Sequence, residues 1–210
     1  SAGEAFCDEY ELPNASAYCE TCAAIANALW NYRMFLLHGE AQYIDVLERV
    51  LYNGFLSGVA ASGDRFFYPN PLASYGGVER QPWFDCACCP TNVVRFLPSI
   101  AGYVYAVRED SLYVNLFIGG QGQVSLPSGP VCIVQKTRYP REGGVELRVA
   151  PGRAAEFTLL IRVPGWLGEK PVPSDLYSYL EPSNGKVKVA VNHQLTECKI
   201  EKGYLALRRS

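Results

Sequence analysis

The sequence predicts a helical first half followed by an antiparallel β-sheet second half, arranged as a sandwich. Three observations carry this. Apolar residues recur at three- and four-residue spacing between Ala17 and Phe55. They alternate with polar or outward-facing residues at Phe157, Leu159, Ile161 and Val163, and again at Val187, Val189 and Val191. Turn-forming Gly, Pro, Asn and Ser separate the alternating runs.

The first helix is expected over Ala17–Leu37, with Cys22, Ile25, Leu29, Tyr32 and Phe35 on one face. Ser16 is its candidate N-cap, Pro13-Asn14 marks the turn before it, and His38-Gly39 ends it. A second helix is expected from Glu40 to Phe55, with Tyr43, Ile44, Leu47, Val50 and Leu51 as its face. Residues 58–82 hold Gly63, Pro69, Pro71, Gly76, Gly77 and Pro82, and so read as a loop long enough to point to function. A third helix starts near Pro90 and is stopped or kinked by Pro98. The first strand of the β half is Leu112–Ile118, and the domain boundary falls near Tyr105, giving parts 1–104 and 105–210.

The 210 residues carry 19 Lys and Arg against 21 Asp and Glu, a net charge of -2. This balance argues against nucleic acid or an anionic membrane as partner, since either calls for a basic excess. No apolar run reaches the roughly 18 residues of a membrane span. The acidic first ten residues offer no signal-peptide core. With clustered thiols, this sets the expected location as cytoplasmic, for a chain cut or processed from something longer.

Cysteine is the unusual residue. Six of the eight fall into two groups, at 7, 19 and 22 and at 86, 88 and 89. A disulfide scaffold spreads its cysteines more evenly, and adjacent Cys88 and Cys89 make poor partners for one another. The clustering favours a metal or a reactive thiol. Cys19-Glu20-Thr21-Cys22 with Cys86-Ala87-Cys88-Cys89-Pro90 reads first as a four-cysteine zinc site from Cys19, Cys22 and two of the second group. Cys88 and Cys89 also precede a helix start, where partial positive charge favours a thiolate able to act as nucleophile. Small buried apolar cysteines, or a redox pair of Cys19 and Cys22, are the competing readings. Glu48 stands inside the second helix beside Leu47 and Leu51. Tyr68 stands in the long loop between Phe67 and Pro69. His38 and His193, the two histidines, suggest no triad.

Five ordered stretches resemble glycoside hydrolase family 127, the β-L-arabinofuranosidase family. They are Gly3-Glu4-Ala5-Phe6 with Leu12-Pro13-Asn14, Glu20-Thr21-Cys22-Ala23, Glu48 to Gly54, Phe66 to Leu72, and Trp83 to Asn92. The likeness continues through Gly102-Tyr103-Val104-Tyr105 and Arg162-Val163-Pro164-Gly165-Trp166. It implies the last helices of an (α/α)6 barrel followed by a β-sandwich. It also implies a retaining hydrolysis of a glycoside or oligosaccharide by a zinc-bound cysteine. Motif by motif, Cys88 matches the nucleophile and Glu4 the general acid/base. Glu20, Cys22, Cys88 and Cys89 match the zinc ligands, and Glu48 and Tyr68 the sugar contacts. Glu20 thereby replaces Cys19 in the ligand set, and Cys7 and Cys19 stand outside the family pattern. The upstream helices of the family, with further substrate-binding histidines, are absent from this sequence, so this stretch is expected to be inactive by itself. The competing function is a non-catalytic module with a structural zinc and a carbohydrate-facing sandwich.

Glu20 and Cys22 lie about 200° apart around an ideal helix, so they can face one metal only if the helix begins near them or the backbone departs from helical there, and Ser16 as N-cap, which places them in the first turns, is compatible with that.

Overall fold

The computed structural model describes residues 4, 8, 9, 11, 13–168, 170–181 and 185–209. Gly3, Ala5, Phe6, Cys7 and Leu12 lie outside the described residues. The chain divides into two compact units, one formed by the residues up to Arg33 with Val46–Ser99, the other by Met34–Asp45 with the residues from Ile100 onward.

Helix α1 spans Thr21–His38 and α2 spans Ala41–Val50. The buried stripe of α1 is Thr21, Ile25, Ala28, Asn31 and Phe35, while Leu29 is exposed. The apolar face is thus displaced from the expected Cys22-to-Leu29 line. The helix also starts five residues beyond Ser16, because tertiary hydrogen bonds at Thr21 override the local cap. Its end is as expected, with the Gly39 amide donating to the Phe35 carbonyl at 2.7 Å. Ala41, Ile44, Leu47 and Glu48 are buried on α2. The helical path then continues through a π-helical turn, Leu51–Phe55, and a 3-10 turn, Leu56–Gly58. A π turn in a helix often accompanies a functional residue, and here it follows the buried Glu48.

Residues 59–87 form no helix and no extended strand. Isolated bridges tie this loop at Val59 to Phe66, at Phe66 to Gln81, and at Pro69 to Glu20. Arg80 lies over the Phe67 ring at 4.7 Å and donates from Nε and Nη2 to the Ser57 carbonyl. Helix α3, Cys88–Phe96, closes the first unit, and Pro98 ends it within a 3-10 turn, Leu97–Ser99. Phe96 meets Phe55 edge-on with ring centres 4.9 Å apart.

In the second unit, α4 (Ala101–Val104) leads into β1 (Tyr105–Arg108), β2 (Ser111–Val114), β3 (Gly120–Leu126), β4 (Gly129–Thr137), β5 (Val145–Pro151) and β6 (Phe157–Arg162). Then come β7 (Ala190–Val191), β8 (Gln194–Leu195), β9 (Ile200–Glu201) and β10 (Tyr204–Arg209). One sheet has the order β1-β2-β6-β10-β9, a second β3-β4-β5, and β7 pairs with β8. Pairing is antiparallel except between β2 and β6, which run parallel. Leu112 of β2, Leu126 of β3 and Val131 and Ile133 of β4 share one core, so both large sheets contribute to it. The expected strand 112–118 stops at Val114, because the Asn115 and Leu116 amides turn to the Val104 carbonyl. The expected strand 187–191 shortens to Ala190–Val191.

A buried polar network fixes this unit. Arg162, 1% exposed, donates from Nη1 to Asp45 Oδ1 at 2.5 Å and from Nε to the Asn115 carbonyl at 2.6 Å. The Tyr204 hydroxyl donates to Asn115 Oδ1 at 2.7 Å. The Gly165 amide donates to Asp45 Oδ2, and a Cβ at position 165 would lie only 2.5 Å from that oxygen. The Arg-Val-Pro-Gly-Trp run therefore serves one carboxylate from two of its positions.

Removing one partner of a buried ion pair strands the other charge. Arg162→Ala is expected to cost about 3–5 kcal/mol in urea unfolding. The pair Arg162→Met with Asp45→Leu should recover much of it, and an Arg162→Ala cost below about 1 kcal/mol would contradict the network's role. In the first unit, Gly58 packs against Thr21. A Cβ there would lie 2.6 Å from Thr21 Oγ1, so Gly58→Ala is expected to destabilise by about 1–3 kcal/mol in the same assay.

Candidate metal and catalytic site

The site begins with the start of α1. The Thr21 amide donates to the Tyr68 carbonyl at 3.2 Å, and its Oγ1 donates to the Phe67 carbonyl at 2.8 Å. Thr21 is fully buried, with Gly58 packed closely against its side chain. Glu20, one residue earlier, keeps extended backbone and bridges to Pro69. Cys22, one residue later, is already in the first turn. This break in backbone conformation lets two ligands two residues apart face the same point.

Helix α3 supplies the other side. Cys88 and Cys89 are its first two residues. Thr91 Oγ1 donates back to the carbonyls of Ala87 and Cys88, both at 2.9 Å, and fixes the first turn. One ligand atom from each of Glu20, Cys22, Cys88 and Cys89 lies within 4.8 Å of all the others. Cys22 Sγ is 3.3 Å from Cys89 Sγ, and Glu20 Oε1 is 3.6 Å from both Cys88 Sγ and Cys89 Sγ. Three sulfurs and a carboxylate oxygen at these spacings can hold a metal ion.

The four-cysteine reading is corrected here, since neither Cys19 nor Cys86 belongs to the group. Cys19, Cys22, Cys86, Cys88, Cys89, Cys132 and Cys198 are free thiols in this structure.

Burial pushes the Cys22 thiol up to about 11, against the opposing pull of the Asn92 amide. Burial, followed by the neighbouring Cys22, raises Cys89 as well. Without a cation the two sulfurs therefore hold their protons at neutral pH.

Tyr68 lies against this cluster. Its hydroxyl is raised above the usual phenol range, first by its hydrogen bond with Cys88 and then by one with Tyr18. The Tyr18 hydroxyl donates to Glu4 Oε1 at 3.4 Å. Glu48 sits on α2 with 5% exposure and is not one of the four residues grouped around the sulfurs. Sequence reasoning did not single out Thr21, Tyr18 or Asn92. Asn92 carried a signal, being three and four residues beyond Cys89 and Cys88 on one helix face.

Among the described residues no helix is long and apolar enough to cross a membrane.

Comparison with known proteins gives concordant results. The family model described as the catalytic domain of β-L-arabinofuranosidase GH127 matches residues 1–102, and the GH127 middle-domain model matches residues 111–210. A non-reducing end β-L-arabinofuranosidase of Bifidobacterium longum is 33% identical over 180 residues, which cover 78% of this chain and 27% of that protein. A solved GH127 β-arabinofuranosidase is 51% identical with a TM-score of 0.95, over 99% of this chain and 32% of that one. A GH127 β-L-arabinofuranosidase from Geobacillus stearothermophilus T6 is 39% identical with a TM-score of 0.82, over 95% of this chain and 31% of that one. The chain thus spans only about a third of the length of these relatives. With family models on both halves and this agreement of fold, the chain belongs to glycoside hydrolase family 127.

Proposed function

We propose that this chain is the nucleophile-bearing part of a retaining glycoside hydrolase that releases β-L-arabinofuranosyl or related sugars from an oligosaccharide or glycoside. The observation that carries the reading is the meeting of Glu20, Cys22, Cys88 and Cys89 beside Tyr68. Residues 1–104 are read as the closing helices of an (α/α)6 barrel and 105–210 as a β-sandwich. The domain models on either side of residue 105 support that division.

Three thiols and one carboxylate form a soft, four-donor set that suits zinc. Zinc held by Glu20, Cys22, Cys88 and Cys89 supplies the positive charge that keeps sulfur deprotonated near neutral pH. The chain's own groups do the rest. Cys88 Sγ attacks the anomeric carbon while protonated Glu4 gives its proton to the departing glycosidic oxygen. The carbon–sulfur bond of the glycosyl-cysteine then breaks as Glu4, now a carboxylate, takes a proton from the attacking water. Two displacements at one carbon return the original configuration. Tyr68 sits close enough to Cys88 to orient both sulfur and sugar, and Glu48 binds sugar hydroxyls. As a third of its relatives' length, the chain alone is expected to bind metal but not to turn substrate over.

Native mass spectrometry of the purified chain should show one zinc per chain, and all thiols free in the presence of excess zinc would overturn the metal reading. Binding must displace at least the protons of Cys22 and Cys89, which are raised and therefore present below their folded-state values. Apparent zinc affinity should then rise by at least about 100-fold per pH unit around neutrality in chelator competition, whereas a flat profile would contradict the assignment. In a longer polypeptide containing this chain, Cys88→Ser should lower hydrolysis of an aryl β-L-arabinofuranoside by at least about a thousandfold. Wild-type turnover in that variant would remove Cys88 from the nucleophile role.

A further inference from the structure

Asn92 stands in the second turn of α3, one helical turn beyond Cys88 and Cys89. Its amide reaches across to α1 and donates from Nδ2 to Cys22 Sγ at 3.1 Å. Cys22 Sγ in turn lies 3.3 Å from Cys89 Sγ. Asn92 is half-buried. An N–H donor aimed at a sulfur withdraws electron density from it, so the sulfur becomes a weaker electron donor and a poorer nucleophile.

We propose that Asn92 is a positioning residue that fixes Cys22 as a retained ligand of the metal centre and lowers the electron donation of its sulfur, so that the cluster's three cysteines are chemically unequal. This rests on the metal reading of Glu20, Cys22, Cys88 and Cys89. The inequality has a use. A centre with three thiolates around one cation must leave one sulfur available for the sugar and keep the others in place. Cys88 faces the hydroxyl of Tyr68, whereas Cys22 faces an amide from the helix that carries its two partner sulfurs. Asn92 thereby clamps α1 to α3 at the ligand that should not react. Partners of metal ligands that act this way typically alter metal affinity by about 10- to 100-fold when removed.

The test uses the purified 210-residue chain with zinc and, as a spectroscopic probe, cobalt(II). Asn92→Leu keeps the size and removes the donor, and Asn92→Gln restores a donor. Asn92→Ser serves as a smaller donor-short variant should the leucine chain fail to fold by circular dichroism. The expected result is a zinc affinity about tenfold or more weaker in Asn92→Leu or Asn92→Ser by chelator competition. Their sulfur-to-cobalt charge-transfer band should move to lower energy, and Asn92→Gln should return part of both effects. Wild-type affinity and an unmoved band in the folded variants would overturn the role of Asn92 and leave the metal centre intact. Failure of the wild-type chain itself to bind zinc or cobalt would overturn the metal centre, and this proposal with it.

Discussion

The position at which α1 begins is the constraint on which the site depends. A helix starting at Ser16 would carry Glu20 and Cys22 to different faces, and no rotamer choice would bring a carboxylate and a thiol two residues apart to one cation. Thr21 prevents this by binding two successive carbonyls of the long loop with its amide and hydroxyl. The loop is equally constrained in return, because those same carbonyls belong to Phe67 and Tyr68. Tyr68 is therefore placed next to Cys88 by the bonds that align the ligands. The four-residue cluster and the Tyr68 loop share one fastening.

Helix α3 meets this arrangement with two adjacent cysteines at its first turn, where neighbouring side chains can converge before the helical rotation separates them. Thr91 and Asn92 complete the turn, one securing its carbonyls and the other reaching a sulfur on α1. Thiolates gathered here are unfavourable without a cation, because burial penalises the charged form of Cys22 and Cys89. A cation bound there would release those protons, so metal binding and thiol ionisation would be linked.

Much of this was legible in the residues, and the parts that were not have physical reasons. Apolar spacing located α1 and α2, and Gly39 and Pro98 marked true ends, because these depend on local backbone preference. Ser16 misled because capping is weak beside the two tertiary hydrogen bonds of Thr21 and the one that the Cys19 carbonyl accepts from the Asn70 amide. Periodicity showed the strands Phe157–Arg162 and Ser111–Val114 but could not show that they pair in parallel, since alternation encodes which face is buried and says nothing about the neighbour. Spacing alone also could not choose between Cys19 and Glu20 as ligand. That choice is made by the extended backbone at Glu20, which only the bridge to Pro69 imposes.

The segment Met34–Asp45 lies early in the chain yet packs with the β-rich unit. Its Asp45 holds Arg162, its Ala41 amide binds the Lys202 carbonyl at 2.9 Å, and its Phe35 ring meets Tyr113 and Tyr204. Gene segments recombined at the helical-to-β junction would carry Asp45 and Arg162 from different parents, and their buried charges would have to match by chance. Modular exchange between relatives is consequently free only where the incoming β part keeps Asn115, Arg162, Gly165 and Tyr204 as a set. A covariation signal linking position 45 to positions 162 and 165 is the trace that such a restriction would leave across the family's lineages.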